Sequence, residues 1–105
     1  MSGSKAKRVR EMDAHERSAY ERGVLESTER AMASGQPGFD YEFHGASLIG
    51  SFPETRIEVR YWDPRYGREQ TPSYPIWRSL VDSDGVLEYP PARAAVLIKV
   101  WALGG

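Results

Sequence analysis

The sequence of 105 residues contains no cysteine. Disulfides, thiolate ligands for zinc and a cysteine nucleophile are therefore excluded. The chain also lacks any apolar run close to the roughly 20 residues that a membrane-spanning helix needs, so we expect no membrane partner. Basic residues near the N-terminus are not followed by an apolar segment. We therefore expect no secretory signal and a cytoplasmic location.

Familiar catalytic motifs are missing too, since there is no P-loop, no Gly-x-Gly-x-x-Gly and no Gly-x-Ser-x-Gly. The two histidines are His15 and His44. His44 with Ser47 or Ser51 would be a minimal pair of base and nucleophile, but one sequence does not reveal the geometry that catalysis needs. We predict no catalytic residue and no cofactor. A non-enzymatic role is favoured, with a small hydrolase or metal-dependent enzyme as an alternative.

A large excess of charge of one sign is absent, because the net charge is −1. With 40% hydrophobic and 28% charged residues, the composition is typical of a globular protein. Bases are nevertheless concentrated at the start of the chain, where they form a basic arm of Lys5, Lys7, Arg8 and Arg10. A domain that binds duplex DNA is usually basic overall. An accessory protein that binds nucleic acid through this arm and the Arg- and aromatic-rich loop within residues 56–78 is therefore an alternative function, not the first choice.

The first part of the chain favours a long helix. Residues 1–12 form either a basic arm or the start of that helix. The segment 13–34 is rich in good helix formers, and Asp13 with Glu16 matches a capping box. Gly35 follows the segment and predicts its end. We therefore predict a helix over residues 13–34.

This helix carries two apolar stripes. The first includes Tyr20 and Val24 and predicts the face that packs on the core. The second, weaker stripe includes Leu25 and Met32, which we predict to form part of an oligomer interface. A helix running unbroken from residue 5 would span about 45 Å and would overhang a compact domain of this size. It would then break near Asp13, extend into solvent or lie along a second chain.

A sheet is predicted over residues 39–103. Residues 55–62 alternate strictly, which directs Tyr61 inward and Trp62 outward. Proline near residues 72–75 excludes a central strand there. Short strands are also expected at 39–44, interrupted by the following glycine, and at 77–81 and 86–89, which flank a hairpin turn at 82–85.

The last segment, 94–103, is apolar on both faces apart from Lys99, which predicts a central strand covered on both sides. The fold class predicted for residues 1–105, as a single domain, is α+β. One long N-terminal helix packs on a mostly antiparallel sheet of four to six short strands.

Three polar residues on one predicted strand are weak candidates for metal ligands. Asp40, Glu42 and His44 alternate along the chain and would share one face of the strand. Carboxylates and imidazole can hold a divalent ion together. The solvent face of a half-buried strand explains the same pattern without a metal, so no metal site is predicted.

The best candidate for a binding surface is the stretch 56–78, which contains five Arg, three Tyr and two Trp. Such residues are enriched at the energetic centres of protein interfaces. The predicted contact residues are Trp62, Arg65, Tyr66, Arg68 and Tyr74. The structural alternative is that the aromatic residues of this stretch belong to the core. Interleaved acids would repel phosphate, so a protein partner is expected. The sequence thus predicts a small protein-interaction module, such as an adaptor, inhibitor or assembly subunit, with a homo-oligomer as a further expectation.

Overall fold

The structure is a computed structural model, and it describes residues 8–104. Lys5 and Lys7 of the predicted basic arm lie outside the described residues. The described chain is α+β, with a long N-terminal helix packed on an antiparallel sheet of four strands. After a 3₁₀ turn at Val9–Glu11, the elements are α1 (Ala14–Ala33), β1 (Glu42–Ile49), β2 (Arg56–Asp63), β3 (Arg68–Gln70), β4 (Ser73–Pro75), α2 (Ile76–Ser79) and α3 (Pro91–Gly104).

Helix α1 begins where the capping box predicts. The Asp13 side chain accepts a hydrogen bond from the Glu16 amide at 2.8 Å, and the Glu16 side chain accepts one from the Asp13 amide at 3.0 Å. The backbone of Asp13 is extended, so the preceding 3₁₀ turn does not continue into the helix. Of the alternatives open to the sequence, the break near Asp13 is therefore the one found. At 20 residues α1 spans about 30 Å. The helix therefore has no excess length that a second chain would have to cover.

The sheet is organised around β2. Strand β1 pairs antiparallel along one side of β2, while β3 and β4 share the other side at opposite ends. Strand β4 ends at Pro75, which lacks an amide donor and is tolerated on an edge strand. The central position falls to β2, whose side chains alternate between buried and accessible.

The predicted interruption at Gly45 is a β-bulge inside one continuous strand. The pairing register of β1 with β2 shifts between Phe43 and Gly45, and the strand then runs on to Ile49. Gly45 has φ of +150°, and a Cβ placed there would lie 2.7 Å from a guanidinium nitrogen of Arg60. Glycine therefore supplies both the backbone conformation and the space for an arginine side chain.

The core lies between one face of the sheet and the two long helices. Ile57, Val59 and Tyr61 of β2 are almost completely buried on this inner face. The Tyr61 hydroxyl donates a hydrogen bond to the Ala102 carbonyl of α3 at 2.5 Å. Helix α1 packs against both α3 and β1. All four elements thus contribute to one hydrophobic core.

The prediction of a central strand at residues 94–103 is wrong, because this segment belongs to α3. Pro91 is the first residue of the helix, where its missing amide costs nothing. Four alanines favour helix, whereas the strand prediction came from an apolar run on both faces, in which Val96, Ile98 and Val100 are β-branched. Among residues 8–104, no helix is long and apolar enough to cross a membrane.

Two further strand predictions near the C-terminal half are wrong. Residues 76–79 form the short helix α2, and the 86–89 segment contributes only isolated bridges, including Val81 with Leu87. The sheet therefore ends at Pro75 and does not extend to residue 103. The predicted turn at 82–85 is present, closed by a hydrogen bond of 3.0 Å from an amide to the Asp82 carbonyl.

The second stripe of α1 faces the chain's own core. Met32 is 1% exposed and Leu25 is half-buried against the core cluster. The reason is that α1 contacts both α3 and β1, so two sides of the helix are covered. The backbone carbonyl of Met32 also accepts a hydrogen bond from the Tyr41 hydroxyl. Met32 is thus not accessible to a second chain in this structure.

Candidate interaction surface

The outer face of the sheet is the most distinctive surface of the described chain. Because α1 and α3 pack on the inner face, the outward side chains of β2 and its neighbours remain at the surface. Trp62 on β2 is 39% exposed there. We call this surface the open sheet face, and its residues are Glu42, His44, Ser47, Glu58, Arg60, Trp62 and Glu69.

Trp62 lies in a row that runs across three strands. Its register partner on β1 is Glu42, and its partner on β3 is Glu69. His44 links these two acids, with Nδ1 2.6 Å from a Glu69 carboxylate oxygen and Nε2 3.1 Å from a Glu42 oxygen. Since β2 lies between β1 and β3, the contact between His44 and Glu69 spans the central strand close to the indole.

The two carboxylates also set the protonation of the histidine. Hydrogen bonds to Glu69, and secondly to Glu42, raise the pKa of His44 above its ordinary value of 6.5. Both contacts favour the imidazolium, which can donate from both ring nitrogens. The His44 side chain is 35% exposed, so solvent partly screens these contacts.

A second set of polar contacts lies beside the bulge. Arg60 donates to the Ser47 hydroxyl at 2.9 Å and to a Glu58 carboxylate oxygen at 3.1 Å. The guanidinium occupies the space above Gly45, so a Cβ at that position would lie 2.7 Å from one of its nitrogens. The charged side chains of the open sheet face are therefore held in place by one another.

The serine and histidine pair considered from sequence is not formed. Ser47 is bound by Arg60, whereas His44 is bound by the two glutamates. Ser51 lies beyond the opposite end of β1. Within residues 8–104, His44 thus forms no hydrogen bond with a serine hydroxyl.

The weak metal candidates are only partly brought together. Glu42 and His44 are in contact, but their third neighbour is Glu69 on β3. Asp40 precedes β1 and is exposed. Within the part of the chain that the structure describes, no group of three or more histidine or carboxylate side chains has an arrangement that could hold a metal ion.

Two of the predicted contact residues lie in the β2–β3 turn. Arg65 binds the buried carboxylate of Asp63, with its closest contact at 2.6 Å, and this hydrogen bonding lowers the pKa of Asp63. Its guanidinium also lies 4.5 Å from the ring centroid of Phe39. Tyr66 beside it is 58% exposed. We call Phe39, Arg65 and Tyr66 the turn patch. Asp63 faces the inner side of β2, so the turn patch is distinct from the open sheet face.

The last two predicted contact residues are placed differently again. Tyr74 on β4 is half-buried and packs against Trp101 of α3, with ring centroids 5.5 Å apart. It therefore covers the core on the inner face. Arg68 is exposed on β3 opposite Asp63. The structure thus brings Arg65 and Tyr66 together in the turn, whereas the Trp62 side chain is on the opposite face of β2 from Asp63 and Tyr74 packs on α3.

Sequence reasoning missed several members of the open sheet face. Strand alternation indicates the outward direction of Arg60, but not its partner Ser47, which depends on the bulge. Glu69 carries no local signal, because its place beside Trp62 follows from the pairing of β3 with β2. Gly45 had a usable signal, since a glycine inside a strand pattern often marks a bulge.

Comparison with family models, curated proteins and solved structures gives no significant match for this chain.

Proposed function

We propose that this protein is a non-enzymatic protein-interaction module whose contact surface is the open sheet face. The observation that carries the proposal is the exposure of Trp62 on the central strand β2, near one end of a sheet face on which neither long helix packs. Tryptophan is strongly enriched among residues that dominate binding energy. A large exposed indole within such a surface is therefore a candidate anchor.

The surroundings of Trp62 support a protein partner over a nucleic acid. The acids Glu42, Glu58 and Glu69 of the open sheet face oppose two basic groups, His44 and Arg60. A phosphate backbone would be repelled by the two acids in register with Trp62. A folded partner with an apolar pocket for the indole and basic side chains at its rim complements this pattern.

Preorganisation is the second physical support. The contacts of His44 and of Arg60 already restrict these side chains on the free surface. Ordering a flexible side chain at an interface costs about 0.5–1.5 kcal/mol. That cost is reduced where the side-chain conformation is held before binding. Preorganised side chains are therefore more typical of a specific binding surface than of ordinary exposed surface.

The test is affinity capture from the native host with three baits, the unmodified protein, Trp62→Ala and Tyr66→Ala. The proposal expects partners that the unmodified protein and Tyr66→Ala retain equally and that Trp62→Ala loses. Tyr66→Ala is the matched control, because it removes an exposed aromatic side chain from the turn patch. Loss with Tyr66→Ala and retention with Trp62→Ala would place the contact surface at the turn and contradict the proposal.

Self-association stays a prediction, although the length of the helix no longer supports it. A second copy on the open sheet face would give the same dependence on Trp62. Light scattering across a concentration series distinguishes a second copy from a different protein partner, since a constant monomer mass excludes a homo-oligomer. The cytoplasmic location likewise stays a prediction.

A further inference from the structure

A cleft of about 580 Å³ opens between the start of the described chain, the beginning of α1 and the 82–85 turn. This volume is within the usual range for small-molecule sites, about 300–1,000 Å³. We call it the arginine cleft, and its lining residues are Arg8, Val9, Arg10, Arg17, Phe52, Ser83, Asp84 and Gly85. None of them belongs to the open sheet face.

The floor of the cleft is an arginine held on an aromatic ring. Arg17 donates to the Met12 carbonyl at 2.6 Å, and its guanidinium carbon lies 4.2 Å from the ring centroid of Phe52. Phe52 is supported in turn by an edge contact with Trp77, at 5.2 Å between ring centroids. With 37% of its surface exposed, Phe52 still offers apolar area to a ligand.

The lining of the cleft contains more basic than acidic side chains. Arg8 and Arg10 are exposed, and neither forms a salt bridge within residues 8–104. Arg17 has no carboxylate partner there either. Asp84 is the one acid among the lining residues, so three arginines against one aspartate leave an excess of two positive charges.

The backbone next to these arginines is fixed. The amide of Val9, between Arg8 and Arg10, donates to the Gly85 carbonyl at 2.9 Å, and Arg8 forms a bridge with Val86. The main chain therefore anchors Arg8 and Arg10 at the cleft, and their side chains form no ion pair with another side chain of residues 8–104. A fixed main chain with exposed guanidinium groups suits a site that binds an anion.

We propose that the arginine cleft binds a nucleoside phosphate. The base would stack on Phe52 and the guanidinium of Arg17, and the phosphate would lie between Arg8 and Arg10. Planar guanidinium groups match phosphate oxygens two at a time, and both aromatic rings and arginine planes stack on bases. The proposal is independent of the open sheet face. A free nucleotide and a single strand are two sources of this ligand chemistry.

The probes are uridine and adenosine monophosphate and a short oligouridylate, titrated calorimetrically at low salt. The double variant Arg8→Ala/Arg10→Ala should bind about tenfold more weakly or worse, because it removes two charged contacts to phosphate. The matched control Arg22→Ala/Arg93→Ala removes the same charge from exposed positions on α1 and α3 and should stay within about twofold. Equal losses in both double variants would show charge attraction alone and overturn the site.

The two sources of phosphate are separated by the salt dependence. If a strand is the ligand, the oligouridylate binds more tightly than the mononucleotides, with a salt slope of about −0.7 per phosphate contact. If a free nucleotide is the ligand, the affinities are similar and the slope is shallow. Either result supports the cleft, provided that Arg8→Ala/Arg10→Ala weakens the binding by about tenfold or more.

The stacking contact is tested by Phe52→Leu, which keeps apolar bulk but removes the ring. Nucleotide binding should weaken, whereas binding of inorganic phosphate should change little. Nucleotides and a glutamate-rich peptide binding equally, with no effect of Phe52→Leu, would indicate a general anion site and overturn the proposal. So would absence of nucleotide and oligonucleotide binding by the unmodified protein. Trp62→Ala should leave all these titrations unchanged. The arginine cleft and the open sheet face can therefore fail independently of each other.

Discussion

The two faces of β2 differ more than any other neighbouring regions of the described chain. On the inner face, Ile57, Val59 and Tyr61 are buried beneath two helices. On the open sheet face, Arg60 and Trp62 alternate with them along the same backbone and reach the surface. Adjacent residues thus have opposite environments because side chains of a strand alternate in direction.

The difference separates two kinds of contribution. Inner side chains remove apolar surface from water, so their truncation should reduce the free energy of unfolding. Open-face side chains are partly exposed and bind one another, so their truncation should affect a partner more than the fold. The predictions that follow contrast changes on the open sheet face with matched changes elsewhere in the described chain.

The largest expected difference in the free energy of unfolding is between the alanine variants of two tryptophans. Trp77 is 7% exposed, and its indole nitrogen donates to Glu21 at 2.7 Å. Trp77→Ala should lower the free energy of unfolding by about 3–5 kcal/mol. Trp62→Ala should change it by only about 0.5 kcal/mol. Urea unfolding of both variants measures the contrast. Comparable losses would mean that Trp62 belongs to the core, and the division between the faces would fail.

Gly45→Ala tests the bulge that shapes the open sheet face. The left-handed backbone and the nearby Arg60 nitrogen both oppose a Cβ. We expect a loss of about 1–3 kcal/mol, mainly from backbone strain, because the arginine tip can move aside. Gly67→Ala, in a turn with φ of +67° and no atom near its Cβ position, is the control for strain alone. Thermal melts in which Gly45→Ala is neutral would contradict the assigned bulge.

Tyr61→Phe removes one hydroxyl from the inner face and leaves the ring in place. The Ala102 carbonyl then loses its donor near the end of α3, and we expect a loss of about 1–2 kcal/mol. Trp62→Phe, one residue along on the other face, should be nearly neutral for stability. Unfolding curves that reverse this order would show that the inner hydrogen bond contributes nothing.

The smallest effect concerns pH on the open sheet face. The pKa of His44 is raised in the folded state by Glu69 and Glu42, so the stabilisation is complete below the unfolded value near 6.5. It should disappear as the pH rises through the higher folded pKa. Arg60 of the open sheet face stays charged throughout this pH range. The melting temperature of the unmodified protein, relative to His44→Gln, should therefore be higher at mildly acid pH and converge at alkaline pH. His15→Gln on α1 is the control, and an identical pH profile for both variants would exclude the proposed contacts.

Local signals predicted a substantial part of this fold. The capping box of Asp13 and Glu16 located the start of α1, and strict alternation located β2 with its inward and outward residues. These features depend on neighbours within a few positions, so one sequence contains them. The C-terminal segment failed because an apolar run on all sides has no period that distinguishes helix from strand. Pro91 and the alanines were the better signals.

The candidate surface was less predictable than the fold. Alternation placed Trp62 outward, but the sequence could not show that Tyr74 packs on Trp101 or that Arg65 binds Asp63. The Tyr74 contact depends on how β4 meets α3 over a long sequence separation, whereas Arg65 and Asp63 are close in sequence and meet because the turn folds back beside Leu103 of α3. Tertiary packing thus divided one Arg- and Tyr-rich stretch between the core, the turn patch and the open sheet face.

The most direct test of the open sheet face is the nuclear magnetic resonance spectrum of the three tryptophan indoles during titration with a captured partner. Each indole N–H gives its own signal, which single Trp→Phe variants assign. The indole of Trp62 should shift or broaden on binding, while those of Trp77 and Trp101 should remain unchanged. A partner that perturbs Trp77 or Trp101 and leaves Trp62 unchanged would contradict the account.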